Sequence, residues 1–282
     1  MFEEAPGEER GPAAVPGHAA AAIVPARGAS ASNAPVAHAV PAVPGSGTGT
    51  DALELDDWDM LKPVWRGHQG SARRLRERPE GIARAIDSLR TQLLQAMMAE
   101  GCTRLAVTAP TSGCGATFVA ANLALSMAAI PDVRTVLLDL DQRAPGIAAA
   151  LGTTSEQRIA ELLGGTVAPM DYLRRYGDNL AVGLNSEVSP SPAELLQSRS
   201  AGGMLDELTG VLTPDAILCD MPPLLEYDDV MAFLPQVDAV LLVADGTRTQ
   251  ARQIARCLKM LEGRTRLMGV VLNRGRVPRR NK

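Results

Sequence analysis

Gly113, Gly115 and Thr117 lie in the stretch LAVTAPTSGCGATFVAANLALSMAA, which runs from an apolar strand through a glycine loop into a helix. That layout can cradle phosphate. Loop and helix N–H groups converge on an anion, and a closing hydroxyl meets a magnesium ion. The full pattern, G-x-x-x-x-G-K-[ST], also places a lysine just before that hydroxyl, to reach the β- and γ-phosphates. Here the lysine position is Ala116. Either the loop binds nucleotide without its main cation, or it is a turn that never held one.

Carboxylates give the loop its context. LLDLDQRAP ends a second apolar run in Asp139 and Asp141, and AILCDMPP ends a third in Asp220. A buried strand ending in Asp is how nucleotide-hydrolysing loop proteins hold magnesium or its waters. Asp139 and Asp141 are two residues apart and share one face if the strand continues that far. With the Thr117 hydroxyl, the candidate metal set is Thr117, Asp139, Asp141 and Asp220. An Asp after a strand is more often a helix cap or turn residue, so the order of the features carries the weight.

These residues need a scaffold that delivers them to one edge. TRLAVTA, RTVLLDLD, DAILCDMPP, DAVLLVAD and LMGVVLNR read as short strands buried on both faces. GIARAIDSLRTQLLQAMMAEG carries an apolar stripe of Ile82, Ile86, Leu89, Leu93, Leu94 and Met97, with Gly101 ending the helix. TFVAANLALSMAAI, most of AELLQSRSAGGMLDELTGVL and RTQARQIARCLKMLEG are the other helices. Alternating strands and helices predict a three-layer α/β fold, a mostly parallel sheet with helices on both faces. Ligands bind such sheets at the carboxyl ends of the strands.

Composition narrows the chemistry. The 282 residues are 46% hydrophobic but only 3% aromatic, so the core is Ala, Leu, Val and Ile. A net charge of -4 argues against nucleic acid as a partner. Lysine occurs only as Lys62, Lys259 and Lys282, so arginine carries the positive charge. His18, His38 and His68 all precede the expected domain, which leaves that domain without histidine chemistry unless the extension folds back onto it. Cys102, Cys114, Cys219 and Cys257 show no metal spacing and fit a reducing cytoplasm. Cys114 sits beside a helix N-terminus, where redox gating competes with the plainer reading of a small tolerated side chain. No apolar run nears the ~18 residues of a membrane span, and the acidic start MFEEAPGEER does not resemble a secretory signal.

Residues 1–50 are rich in Ala, Pro and Gly and read as a disordered arm. Residues 51–80 hold an acidic segment with both tryptophans, Trp58 and Trp65, and a basic connector. The tryptophans read first as a strap packed on the domain and second as a docking segment for a partner. The domain is expected over 81–274. A basic tail, 275–282, is solvated or touches anionic lipid.

Gly81 to Arg274 resembles the cytoplasmic domain of bacterial tyrosine kinases of capsule and exopolysaccharide synthesis, relatives of ParA and MinD. The resemblance rests on LRTQLL, on VTAPTSGCGATFVAANLALSMA, on VLLDLDQRAP against V-L-L-I-D-x-D-x-R-x-P, on SPAELLQS, on ILCDMPPLLEYDDVMAFLPQVDAVLLVA and on GVVLNR, in that order. It implies ATP or ADP with Mg2+ as cofactors. It makes Ser112, Gly113, Cys114, Gly115, Ala116, Thr117 and Phe118 nucleotide contacts, with Asn273 and Arg274 at the adenine end, and Asp139 and Asp141 catalytic in an active member. It also implies an inner-membrane polysaccharide co-polymerase as partner, possible homo-oligomers, and a cytoplasmic protein held peripherally at the inner membrane.

The departures bear on function. Thr111 stands where ParA and MinD carry a second lysine, and the E-x-x-R-x-x-R oligomerisation pattern reads Arg84-x-x-Asp87-x-x-Arg90. The family's C-terminal tyrosine cluster has no counterpart, since the tyrosines are Tyr172, Tyr176 and Tyr227. The expectation is a regulatory member, non-catalytic or very slow. An active tyrosine kinase or ATPase is the first alternative, and a ParA/MinD-like positioning ATPase the second.

Overall fold

The computed structural model describes residues 23–24, 57–64 and 79–275. Eight strands form one sheet, β1 (Ile23–Val24), β2 (Arg104–Thr108), β3 (Thr135–Asp139), β4 (Arg174–Arg175), β5 (Leu180–Gly183), β6 (Ala216–Asp220), β7 (Ala239–Asp245) and β8 (Arg266–Asn273), in the order β1-β8-β7-β2-β6-β3-β5-β4. The six from β8 to β5 in that order run parallel, and the two-residue strands β1 and β4 close the edges antiparallel. Every residue of β2, β3, β6 and β7 is buried. This is why they read as unbroken apolar runs rather than alternating ones.

Helices cover both faces. On one, α2 (Glu80–Glu100) lies over α3 (Ala116–Met127) and buries Ile86, Leu89, Leu93 and Met97, four residues of the predicted stripe. α3 is buried nearly all round because its Ala120, Ala121 and Ala124 let it lie close between α2 and the sheet. Gly101 ends α2 at φ 62, its N–H donating to the Met97 and Met98 carbonyls, a left-handed cap that glycine adopts without strain. On the other face, α5 (Ile159–Leu163) and α6 (Pro169–Tyr172) pack on α8 (Arg199–Leu212), which buries Met204, Leu205, Leu208 and Leu212 against the sheet.

The expected strands are all present, but three were missed. β5, with only Leu180–Gly183, sits in a loop-like stretch, and β1 and β4 are two residues each, too short to show a period. The run AELLQSRSAGGMLDELTGVL is two helices, α7 (Pro192–Leu196) and α8, because the Ser198 hydroxyl accepts from the Ala201 N–H and starts a new helix.

The acidic segment contains α1 (Asp57–Met60), and its tryptophan is structural. Trp58 is 3% exposed, its indole N–H donates to the Leu212 carbonyl at 2.8 Å, and Arg134 lies 5.5 Å over its ring. Lys62 and Val64 exchange backbone hydrogen bonds with Arg175 at the β4 edge. The strap reading therefore holds for Trp58, and the docking reading is corrected for that residue alone, because its ring is already committed to the domain. Trp65, most of the arm, most of the basic connector and the tail from residue 276 lie outside the described residues.

Candidate functional site

β2, β3 and β6 end together at one edge of the sheet, which is where the candidate residues meet. The glycine loop leaves β2 and enters α3 at Ala116. Gly113 and Gly115 take φ 79 and 93, left-handed conformations that turn the chain tightly. Gly115 is also required sterically, because a Cβ there would stand 2.3 Å from Asn273 Nδ2.

The end of β8 fixes the loop from outside. Asn273 Nδ2 donates to the Cys114 carbonyl at 2.8 Å, and Arg274 Nη1 donates to the Gly113 carbonyl at 2.9 Å. Arg274 is held in a left-handed conformation, φ 56, and also pairs with Asp245 Oδ2 at 2.7 Å. With two carbonyls turned outward, the N–H groups from Gly113 to Thr117 donate to no acceptor among the described residues. Amides left free beside a helix N-terminus are the groups from which an anion site is built. Cys114 is buried, 3.6 Å from the Thr111 hydroxyl and 3.4 Å from that of Thr249, which is the small packed side chain of the plainer reading. Ala116 opens α3, and Phe118 is half exposed one residue after Thr117.

The carboxylates divide by role. Asp139 and Asp220 are register partners on adjacent strands, both fully buried. Asp139 Oδ2 accepts from the Gly146 and Ile147 N–H groups at 3.1 and 3.0 Å, capping α4 (Ile147–Leu151), while its Oδ1 has no partner among the described residues. Neither oxygen of Asp220 makes a hydrogen bond of regular geometry there, although the Thr117 hydroxyl lies near enough to favour its charged form. Burial first, then the neighbouring charge of Asp141, pushes Asp139 up to about 7. Burial and the charge of Asp139 raise Asp220 well above the carboxylate range, with the Thr117 hydroxyl opposing. Thr117 also packs on the Asp139 loop, its Cγ2 3.0 Å from where a Cβ on Gly146 would stand.

Asp141 is placed differently from the expectation. Its Oδ1 accepts from the Arg143 and Ala144 N–H groups at 3.0 and 2.9 Å, so it closes the turn after β3. Among the described residues, no three acidic, thiol or imidazole side chains converge as one metal-binding group. Asp139, Asp141 and Asp220 thus do not converge as a direct-ligand trio, though the charge of Asp141 reaches both other carboxyls. What the geometry offers a cation is the Thr117 hydroxyl with the buried oxygens of Asp220 and Asp139. These under-satisfied oxygens fit a hydrated Mg2+, which removes the penalty of burying bare carboxylates.

Residues outside the expected set also reach the site. Arg143 grips buried Asp229 through Nε–Oδ2 and Nη2–Oδ1, both 3.0 Å, and lies 4.8 Å over the Tyr227 ring. Glu226 accepts from the Ser112 N–H at 2.8 Å and from the Ser112 hydroxyl. Glu226 lies in the loop after β6, and Asp229 opens the short helix that follows it, Asp229–Phe233. Sequence gave no signal for them, because an acidic loop such as EYDD normally reads as a solvated turn.

No family model matches the chain. It is similar to EpsB of Ralstonia nicotianae, 30% identical over 226 residues that make up 78% of this chain and 29% of that protein. It is similar to the tyrosine-protein kinase Wzc of Salmonella typhi, 29% identical over 201 residues, 67% of this chain and 26% of that one. The chain thus spans less than a third of the length of these curated relatives. Among solved structures it resembles the VpsO kinase domain, with TM-score 0.62 and 29% identity over 73% of this chain and 98% of that one. It also resembles the kinase domain of the Escherichia coli tyrosine kinase ETK, with TM-score 0.61 and 28% identity over 71% and 77%. Among the described residues no helix is long and apolar enough to cross a membrane.

Proposed function

For a domain that belongs with the kinase domains of the bacterial tyrosine kinases, we propose a regulatory role in exopolysaccharide or capsule synthesis, with nucleotide bound but phosphate transferred slowly or not at all. What supports this is the unpartnered amides from Gly113 to Thr117, beside carbonyls held by Asn273 and Arg274, together with Ala116 at the position of the pattern's lysine. The free amides from Gly113 to Thr117 would hold the phosphates, with Asn273, Arg274 and Phe118 toward the base. Thr117, Asp220 and Asp139 would hold Mg2+, which when bound supplies positive charge to the phosphate oxygens.

The missing lysine separates binding from catalysis. One charge-assisted hydrogen bond contributes roughly 1.5–3 kcal/mol, about ten- to a hundredfold in affinity. Loss of one preorganised donor to a transition state lowers the rate by about 10²–10³. Amides and magnesium ligands can keep the nucleotide while transfer falls to near background. Action would then pass through an inner-membrane polysaccharide co-polymerase at the cytoplasmic face, with nucleotide or self-association setting the state of the complex. A nearby cation favours a second reading, an active tyrosine kinase. The Arg248 guanidinium stands 3.5 Å from where a Cβ on Gly113 would be, close enough to serve as the unorthodox donor.

Phosphotyrosine formation and ATP turnover by the purified chain, with Asp139→Asn as control, decide between the two. The regulatory reading expects both near background and indifferent to the substitution. Robust phosphotyrosine that disappears in Asp139→Asn establishes the kinase.

A further inference from the structure

The outer end of the cradle is already occupied by an acid of the same chain. Ser112 gives both of its donors, the N–H and the hydroxyl, to the Glu226 carboxylate. This is more than a chance surface contact, because the loop carrying Glu226 is fixed on both sides. Before it, the Leu224 N–H donates to the Ala109 carbonyl at 2.8 Å and the Leu225 N–H to the Pro110 carbonyl at 3.2 Å, so the segment runs along the first half of the glycine loop. After it, Tyr227 lies under the Arg143 guanidinium, and Asp229 holds that guanidinium through two hydrogen bonds. Glu226 is exposed, yet its backbone has little room to carry the carboxylate away.

Resting on the nucleotide reading above, we propose that Glu226 is a specificity-determining residue that makes this cradle accept a nucleoside diphosphate in preference to a triphosphate. Phosphates are ordered along such a loop. The amides at the start of the helix, here Ala116 and Thr117, hold the inner phosphates, and a terminal phosphate extends toward the strand side, where the lysine would have met it. Ser112 is on that strand side, four residues before the helix begins. A terminal phosphoryl group there finds the Ser112 donors taken and a carboxylate beside them, with no lysine to offset the repulsion between like charges. A diphosphate ends short of this point and meets only the free amides.

The test is calorimetric titration of ADP and of a non-hydrolysable ATP analogue, both with Mg2+, into the wild type, Glu226→Gln and Glu226→Ala. Melting temperatures serve as a folding control, and the exposed position makes both variants mild. The wild type is expected to bind ADP at least about tenfold more tightly than the triphosphate. Both variants are expected to raise triphosphate affinity by roughly tenfold while ADP changes by less than about twofold. Equal gains for both nucleotides, or no gain for the triphosphate while ADP binds, overturn the proposal and leave the nucleotide reading standing. Failure of every form to bind either nucleotide overturns the nucleotide reading, and this proposal with it.

Discussion

Asp139 and Asp220 face each other across adjacent parallel strands, fully buried, with three of their four carboxylate oxygens making no hydrogen bond of regular geometry among the described residues. Two bare negative charges in that position oppose folding, and both groups respond by holding protons to higher pH than usual. A pair of this kind stores instability that a cation can release.

The pH dependence follows from those raised values. A carboxyl group whose folded-state pKa lies above its unfolded value contributes stability that is full below the unfolded value of 3.8 and is lost as pH rises through the folded value, about 7 for Asp139. In chelator, Asp220→Asn should therefore melt above the wild type, by roughly 2–4 °C for each kcal/mol of relieved repulsion. The gap should be wider at about pH 8 than at about pH 5. Melting curves at the two pH values check this, and an equal gap at both would show that the pair is not protonated as described.

Magnesium should act through the same oxygens. With saturating ADP present, added Mg2+ should raise the wild-type melting temperature further, since a ligand that binds only the folded state stabilises it. Thr117→Ala and Asp220→Asn should abolish most of that increment and leave the ADP-only shift largely intact. Differential scanning calorimetry reads both quantities in one series.

Gly115→Ala should cripple the cradle. The new Cβ would collide with Asn273 Nδ2, and the φ of 93 resists any L side chain. Nucleotide affinity should fall by at least about tenfold, the equivalent of losing one good hydrogen bond. Retained affinity would mean that the Asn273 contact with the Cys114 carbonyl does not shape the binding loop.

Trp58→Ala tests the strap. Truncating a large buried aromatic typically costs about 3–5 kcal/mol, a melting drop on the order of 10 °C for a domain of this size. ADP affinity should be unchanged, because the ring packs at Leu212, which precedes the start of β6, whereas the glycine loop follows the end of the parallel strand β2. A melting temperature that stays put would return Trp58 to the surface as a docking residue.

Much of this was legible in the sequence, for a physical reason. β2, β3 and β6 are buried on both faces, so their apolar runs are unmistakable, and the Asp that ends a run is marked by position alone. Gly113, Gly115 and Thr117 could be placed because a left-handed turn into a helix leaves few residue choices. What stayed hidden depends on contacts distant in sequence. Ser112 meets Glu226 over 114 positions and Arg143 meets Asp229 over 86, separations that no local period reports. The placement of Asp141 follows a related local effect. Two residues after Asp139 the strand has ended, so alternation no longer puts the pair on one face, and the carboxylate folds back onto its own turn.

If Ala116, rather than any wider decay of the site, limits turnover, restoring the lysine alone should recover it. Side-by-side ATP hydrolysis by the wild type and Ala116→Lys tests this most directly. Near-background turnover is expected for the wild type, with a gain of about 10²–10³ when the lysine is restored to an otherwise formed loop. Robust wild-type turnover that Ala116→Lys leaves unchanged would contradict it.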